Sequence, residues 1–568
     1  MKKPFKRKIS KHRSRDIVAY DLETTNIDEG TPTPLYITAY GASLEVSKSI
    51  KSIYDLLEIL ETDFLTIDLK KTRFVAWNGN NYDVYFVAAA LLHSKNYILR
   101  PYLTKSKSLR GLKVVSREDE KIYWEFLDGM SMTGIMRPLK SFLKTFAPGF
   151  EKLDLDFSKE SFNPKNKNHV RYAERDSEGL YYAMLNANEI VKDAVGVPLQ
   201  PTIGNLGIKA FARYIPEDVL IWGPPISALG VIRKQVMRGG YCHIMRKHEG
   251  PVWKYDINQA YAAAMRETPL PSGRCIWTRT YEPGACAIYH IHAKNKKGMI
   301  PFYYKTETGI SKFESKEISD TWITSTEYEQ LKSEGWKIEI KNGYFWSDSF
   351  SMTEYVDTLE QLRCSAIDGP NGAQGLMMKA IGNNSYGKTV ESLDGVELLL
   401  SIEQPGDEYR LYQAENDSLE HVWFKMSEPL LREYHQPQIG AFITAYVRMV
   451  VRRAALQNPA AFIYADTDCV VFSEFVSLDV DAKRYGAWKI ESVGADYRFI
   501  AKKVYASFGA DEKHAKGMNI KNLTDDDFIN WYHGVVPVQK QLHKNNFIKC
   551  MTGSSMFVTR ERKGTKVI

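Results

Sequence analysis

Long apolar runs are missing from this chain. The longest, Val84–Leu92, falls well short of the roughly 20 residues a bilayer-spanning helix needs, so no membrane association is expected. Cysteine is scarce: six in 568 residues, widely spaced and without a CxxC pair, which gives neither a disulfide framework nor a zinc site. No apolar segment follows the basic start, so a secretory leader is not expected, and the reading is a soluble, cytoplasmic protein. Acidic residues are absent from positions 1–15, which carry Lys2, Lys3, Lys6, Arg7, Lys8, Lys11, Arg13 and Arg15. Such an arm suits a solvated tail or contact with nucleic acid. What the chain does have is length and apolar content, 44% hydrophobic, enough for three or four domains, with 33 tyrosines and 11 tryptophans. Its net charge of +7 and pI near 8.7 are moderate, so the basic excess is local.

Carboxylates carry the chemistry. Ala461–Phe472 is an apolar run interrupted by Asp466 and Asp468. In a strand these share a face, repel each other and lose hydration, a conflict that Mg²⁺ or Mn²⁺ relieves; a polar hairpin turn is the alternative. Ile17–Thr25 reads as a second strand, carrying Asp21 and Glu23 at the same spacing, with Leu35–Val46 as its expected partner strand. Phe74–Trp77 reads as a strand, followed by Asn78, Tyr82 and Asp83 and a helix over 84–93. Tyr172 and Asp176 stand four apart on a helix over 169–192 and so share a face.

Asp-x-Glu on a strand, Asn-x3-Tyr-Asp before a helix and Tyr-x3-Asp on a helix together resemble the three exonuclease motifs of family B DNA polymerases. The resemblance implies that Asp21, Glu23, Asp83 and Asp176 hold two metal ions and that Tyr172 orients the attacking water. It places Thr24, Asn78 and Tyr82 on a frayed 3′ end. Lys152, within Glu151–Asp156, matches a lysine of the protein-primed branch near the scissile phosphate. Farther on, Met237-Arg238-Gly239-Gly240-Tyr241 is similar to the Tyr-x-Gly-Gly linker motif, with Met237 where the aromatic is expected. Asp256 with Tyr261 resembles polymerase motif A, departing at Gln259 and Ala262. Lys379, Asn383 and Tyr386, at i, i+4 and i+7 of a helix over 374–388, resemble motif B of the fingers, and Arg363 is a second candidate for triphosphate contact. Lys503-Val504-Tyr505 resembles the Lys-x-Tyr motif that holds the primer strand, and Cys469 stands where the family has Ser.

The implied fold is α/β and α+β multidomain: a DnaQ-like (RNase H-like) exonuclease domain followed by a right-hand polymerase domain with palm, fingers and thumb. The expected boundaries are a basic arm at 1–15, exonuclease at 16–195, palm and fingers at 196–517 with insertions at about 290–350 and 390–435, and thumb at 518–568. Ile338–Phe345 reads as a hairpin in the first insertion, and 438–457 as an amphipathic helix under the Asp466 stretch. Lys540, Lys544, Lys549, Arg560, Arg562 and Lys563 are expected to bind phosphates from the thumb. The implied activity is DNA-directed DNA polymerisation with 3′–5′ proofreading and strand displacement, using two Mg²⁺ or Mn²⁺ ions per site, with Asp256 and Asp468 as ligands and Asp466 as a ligand or a nearby acceptor. The implied partners are primer–template DNA, dNTPs, a terminal protein whose hydroxyl primes synthesis, and a single-stranded-DNA-binding protein, in a host cytoplasm if the chain is viral. The alternatives are a primer-dependent repair polymerase without terminal protein, an exonuclease whose second half only binds DNA, and a non-enzymatic replication factor.

Overall fold

The computed structural model describes residues 3–9, 14–41, 43–104, 106–155, 161–391, 396–412, 421–426, 431–508 and 512–567. Lys2, Lys11 and Arg13 of the basic arm, Asp156, and parts of the second insertion lie outside the described residues. Among the described residues no helix is long and apolar enough to cross a membrane.

The N-terminal half is built on a ten-stranded mixed sheet. Seven strands come first in the chain: β1 (Ile17–Thr24), β2 (Pro34–Gly41), β3 (Leu44–Ser49), β4 (Arg73–Ala76), β5 (Tyr97–Leu103), β6 (Leu109–Ser116) and β7 (Tyr123–Asp128). They lie in the order β5-β6-β7-β4-β1-β2-β3, with β1–β4 and β4–β7 parallel. The single strand expected over 35–46 is two, because the chain reverses after Gly41 and Gly41 pairs with Leu44. Both faces of β1 are covered, which explains its unbroken apolar start. Ile17 and Ala19 enter one core with Leu180 and Ala183 of α2 (Lys167–Val195), whereas Val18, Tyr20 and Leu22 enter another with Val84 and Phe86 of α1 (Asp83–Leu91). By the period of two, Asp21 and Glu23 fall on the α2 face, where Asp176 resides.

The remaining three strands of that sheet, Val396–Leu400, Arg410–Leu411 and Val422–Met426, belong to the second insertion. They join through Leu400 opposite Leu99 of β5, so this insertion is an extension of the N-terminal sheet.

The second half centres on a seven-stranded antiparallel sheet: β8 (Tyr241–Ile244), β9 (His248–Ile257), β10 (Phe462–Thr467), β11 (Cys469–Phe472), β12 (Trp488–Ala501), β13 (Val504–Ser507) and β14 (Lys513–Ala515), in the order β14-β13-β12-β9-β11-β10-β8. Around it lie α3 (Ile203–Arg213), α4 (Ala260–Glu267), α5 (Ser325–Ser333), α6 (Thr353–Cys364), α7 (Ala373–Ser385) and α8 (Pro437–Gln457). The helix expected to be amphipathic, α8, is buried on nearly every side, Arg448 and Arg452 included. In the first insertion Ile338–Phe345 is not a hairpin but part of one strand, Lys337–Phe350, paired on both sides in a four-stranded sheet.

Both chain ends dock. Phe5 is buried, stacks on Phe211, and exchanges backbone hydrogen bonds with Ile221, both 2.9 Å, so residues 3–9 are no free tail. At the other end Gly30 and Phe557 exchange hydrogen bonds of 2.9 and 2.8 Å, and Phe547 packs edge-on against Tyr85 of α1. Lys544 does not face outward as expected of a phosphate contact. Its ammonium lies 3.8 Å from the centre of the Tyr85 ring and donates to the carbonyl of Asn81.

Candidate active sites

Two clusters of carboxylates stand apart in the two sheets. In the N-terminal cluster Asp21 and Glu23 leave β1 on the α2 face, and Asp176 and Tyr172 project from successive turns of α2. Asp83 opens α1, where its Oδ1 accepts the Leu22 amide at 3.1 Å, so the helix start is pinned to β1. Burial, then the charge of Asp176, raises the Asp21 carboxyl to about 7; burial, then Asp21, raises Glu23 to about 9. Asp83 is raised by burial and Asp21, and Asp176 by burial although Lys152 opposes it. Lys152 forms an ion pair with Asp176 Oδ2 and lies 4.5 Å from the centre of the Tyr172 ring. The other Asp176 oxygen is buried without a hydrogen-bond partner, a costly state that a cation would relieve. Thr24 and Tyr82 share a 2.5 Å hydroxyl contact beside this cluster. Asn78 takes a left-handed φ of 66° and gives its amide to Asp128 Oδ1 at 3.0 Å.

The second cluster corrects the reading of Ala461–Phe472. The run is not one strand but the hairpin β10–β11, with Thr467 at φ 68° and the Asp468 amide donating to the Asp466 carbonyl at 2.8 Å. The turn sends the two carboxylates to different partners. Asp466 accepts Lys503 Nζ at 2.8 and 2.9 Å and the Tyr464 hydroxyl at 3.1 Å; burial pushes its pKa up, but these donors hold it below the usual range. Asp468 turns toward β9, where Cys469 stands opposite Asp256 in the register. Burial, then Asp468, raises Asp256 to about 7, and burial, with Asp466 adding to it, raises Asp468 to about 6. The ammonium of Lys379 on α7 opposes both shifts, which puts it within electrostatic reach of the pair. Tyr261 of α4 faces Tyr386, just past α7, with ring centres 4.9 Å apart, and burial raises both phenols. Asn383 Oδ1 is buried without a partner.

Residues 139–427 match the model of the family described as DNA polymerase type B, organellar and viral. The chain belongs to that family. A "Probable DNA polymerase" of Neurospora intermedia is 24% identical over 374 residues, which is 61% of this chain and 38% of that protein. The "DNA-directed DNA polymerase" of Enterobacteria phage PRD1 is 23% identical over 327 residues, 55% of each chain, and the "DNA polymerase" of Streptococcus phage Cp-1 is 22% identical over 366. The matched stretches thus span 38% to 59% of these relatives. The structure of Phi29 DNA polymerase complexed with primer-template DNA and incoming nucleotide superposes with a TM-score of 0.72 at 17% identity, over 98% of this chain and all of that one. The likeness gives the fold: an exonuclease-type domain followed by palm, fingers and thumb.

Within this type B framework the Gly-Gly motif acquires a steric reason. A Cβ on Gly240 would stand 2.6 Å from Thr467 Cα, so only glycine lets the linker pass the tip of the β10–β11 hairpin. Gly239 meets nothing on that side, and its carbonyl accepts Arg448 at 3.1 Å. Arg448 and Arg238 both bind Glu327, the third helical residue of α5, and all three are essentially unexposed. This triad ties the first insertion to the linker and to α8, and sequence reading missed it because its members stand 89 and 121 positions from Glu327. Lys503 reaches the site through Asp466, but Tyr505 is buried among Phe499, Tyr464 and His514. Arg363 donates to the Pro370 carbonyl at 3.1 Å and so braces the turn before α7. Three more residues went unread: Asp128, which caps a short helix and holds Asn78; Glu491, whose charge acts on Asp256 and Asp468; and Lys254, buried between Glu491 and Glu512. Asp128 had a signal, an Asp-Gly step after an apolar strand; the others had none.

Proposed function

We propose that this chain is a DNA-directed DNA polymerase that adds dNTPs to a primer 3′-OH on primer–template DNA, with Asp256 and Asp468 at its centre. The observation that carries the reading is these two carboxylates, both raised, with the charge of Asp468 acting on Asp256 across the pairing of β9 with β11 and Lys379 as the nearby cation. Among the described residues no three metal-ligating side chains converge as a ready-made cage. Mg²⁺ keeps several waters and is commonly bound through one or two carboxylates plus substrate phosphates. Asp256 and Asp468 would hold the ions, with Asp466 behind them, and when bound the ions supply activation of the primer hydroxyl and charge neutralisation at the triphosphate. Lys379 then faces the triphosphate, Tyr261 lies under the sugar where its bulk excludes a 2′-OH, and Tyr386 packs on the nascent pair, with Asn383 a further nucleotide contact. Lys503 keeps Asp466 ionised and aligned.

The N-terminal cluster supports a 3′–5′ exonuclease reading. Asp21, Glu23, Asp83 and Asp176 would hold two Mg²⁺ or Mn²⁺ ions there. Lys152 neutralises Asp176 and stands ready for the scissile phosphate, Tyr172 orients water, and Thr24, Asn78 and Tyr82 grip the 3′ end. Lys152 and the two insertions favour initiation on a terminal-protein hydroxyl, and the second insertion favours displacement of a downstream strand, with a single-stranded-DNA-binding protein as a further partner.

The test is a labelled primer–template incubated with Mg²⁺ and dNTPs, comparing wild type with Asp468→Ala and with Asp21→Ala/Glu23→Ala. Extension should vanish in the first variant alone and degradation in the second alone. A wild type that degrades primers yet never extends one would replace this reading with an exonuclease carried on a DNA-binding platform.

A further inference from the structure

The docked N-terminal arm closes one side of a cavity of about 650 Å³ that neither carboxylate cluster touches. Its cations come from four distant parts of the chain: Lys8 and Arg15 from the arm and the entry to β1, Arg73 from the start of β4, Lys209 from α3, and Arg432 from the segment before α8. The acids do not balance them. Glu125 accepts both Arg15, at 2.7 Å, and Arg73, at 3.2 Å, and Glu433 takes Lys8 at 2.6 Å. Lys209 gives its ammonium to the Gln200 amide oxygen at 2.6 Å and has no carboxylate; Arg432 has none either, among the described residues. Burial, then the charges of Arg73 and Arg15, lowers the Lys209 pKa. A volume of this size is that of a small-ligand pocket rather than a gap for one water.

We propose that this cavity is a binding site for a phosphate-bearing anion, held by Lys209, Arg432 and Arg73 and walled by the N-terminal arm. Arg73 is pre-oriented by the Leu199 carbonyl, which accepts its Nη1 at 2.9 Å, and by Glu125, so it costs little to order. Lys209 and Arg432 supply the uncompensated charge. The phosphate has two possible sources. One is a free nucleotide. The other is the backbone of a strand, since the cavity shares Pro201, Asn205, Arg432 and Tyr434 with a larger neighbour of about 1390 Å³ that carries Arg100, Arg110 and Lys113.

The inference rests on the cavity and not on the polymerase reading, so it is tested without catalysis. Full-length protein in EDTA is titrated calorimetrically with sodium tripolyphosphate and, separately, with an oligothymidylate. Wild type is compared with Lys209→Gln, Arg432→Gln, and Lys51→Glu as a charge control on an exposed lysine elsewhere, all with thermal melts to confirm folding. The expected result is a tenfold or greater loss of affinity in both cavity variants and little change in Lys51→Glu. Loss confined to tripolyphosphate assigns the site to free nucleotide, and loss confined to the oligonucleotide assigns it to a strand. Unchanged affinities for both titrants, or an equal loss in the control, would overturn the proposal.

Discussion

A carboxylate that is raised and unpaired destabilises the fold it belongs to. Replacing Asp468 with Asn removes that repulsion and leaves a near-isosteric group. Primer extension should therefore fall by about 10²-fold or more while the first melting transition stays put or rises, as single-turnover extension and calorimetry would report. Glu512 is the opposite case. Burial alone would raise it, but hydrogen bonds from His514, Lys254 and Tyr497 bring it from 4.5 to about 2. A depressed folded pKa means that its contribution is full above about 4.5 and is lost as pH falls toward 2. With the side chain partly open to solvent, that is on the order of 1–2 kcal/mol. Glu512→Gln should melt earlier than wild type at pH 7, and the difference should narrow below about pH 4.5 and close only near pH 2. At this scale Asp466 and Asp468 were legible because they interrupt an apolar run, whereas Asp176 stands in a polar helix stretch and was legible only through its spacing from Tyr172. Lys254 was not, because its partners, Glu491 on β12 and Glu512 just before β14, stand more than 230 positions away.

Elements were legible where one face decides them and illegible where tertiary contacts do. The alternation of β1 put Asp21 and Glu23 on one shared face; that α2 covers this face is known only from the packing of Ile17 and Ala19 against Leu180 and Ala183. The Asp466 run read equally well as strand or turn, because residues flanking a tight hairpin are as apolar as a strand interior. In the fold the chain reverses at Thr467, which takes a left-handed φ of 68° against Gly240, and β11 returns to pair with β9. Gly240→Ala would push Thr467 and with it both carboxylates. Extension should fall by roughly tenfold or more while degradation of single-stranded DNA persists. Glu327→Gln leaves Arg238 and Arg448 buried without a counter-charge, a change on the order of 3–5 kcal/mol in comparable pairs. It should lower the melting transition of the second half and cut extension, again sparing degradation; equal loss of both activities would count against separate control of the two sites.

At the scale of the molecule the two insertions differ in what they serve. The first is welded to the palm through Glu327, and the second is stitched to the N-terminal sheet through Leu400. Replacing 396–426 by a short linker should therefore leave extension on an open template nearly intact. It should slow extension through an annealed downstream strand, and gel assays with and without that strand would separate the two. The sequence pattern suggested insertions at about 290–350 and 390–435; how these stretches dock depends on which sheet has a free side, and only the assembled topology supplies that.

The Leu99–Leu400 seam also has a consequence in time. Strand β5 is made early, yet the strand that covers its outer side follows roughly 300 residues later. At about 5–20 residues per second a nascent chain carries those unpaired backbone groups for some 15–60 seconds. During synthesis, then, β5 is an edge open to pairing with another chain. Yield of folded protein should be governed by how that interval is protected rather than by the stability of the finished molecule.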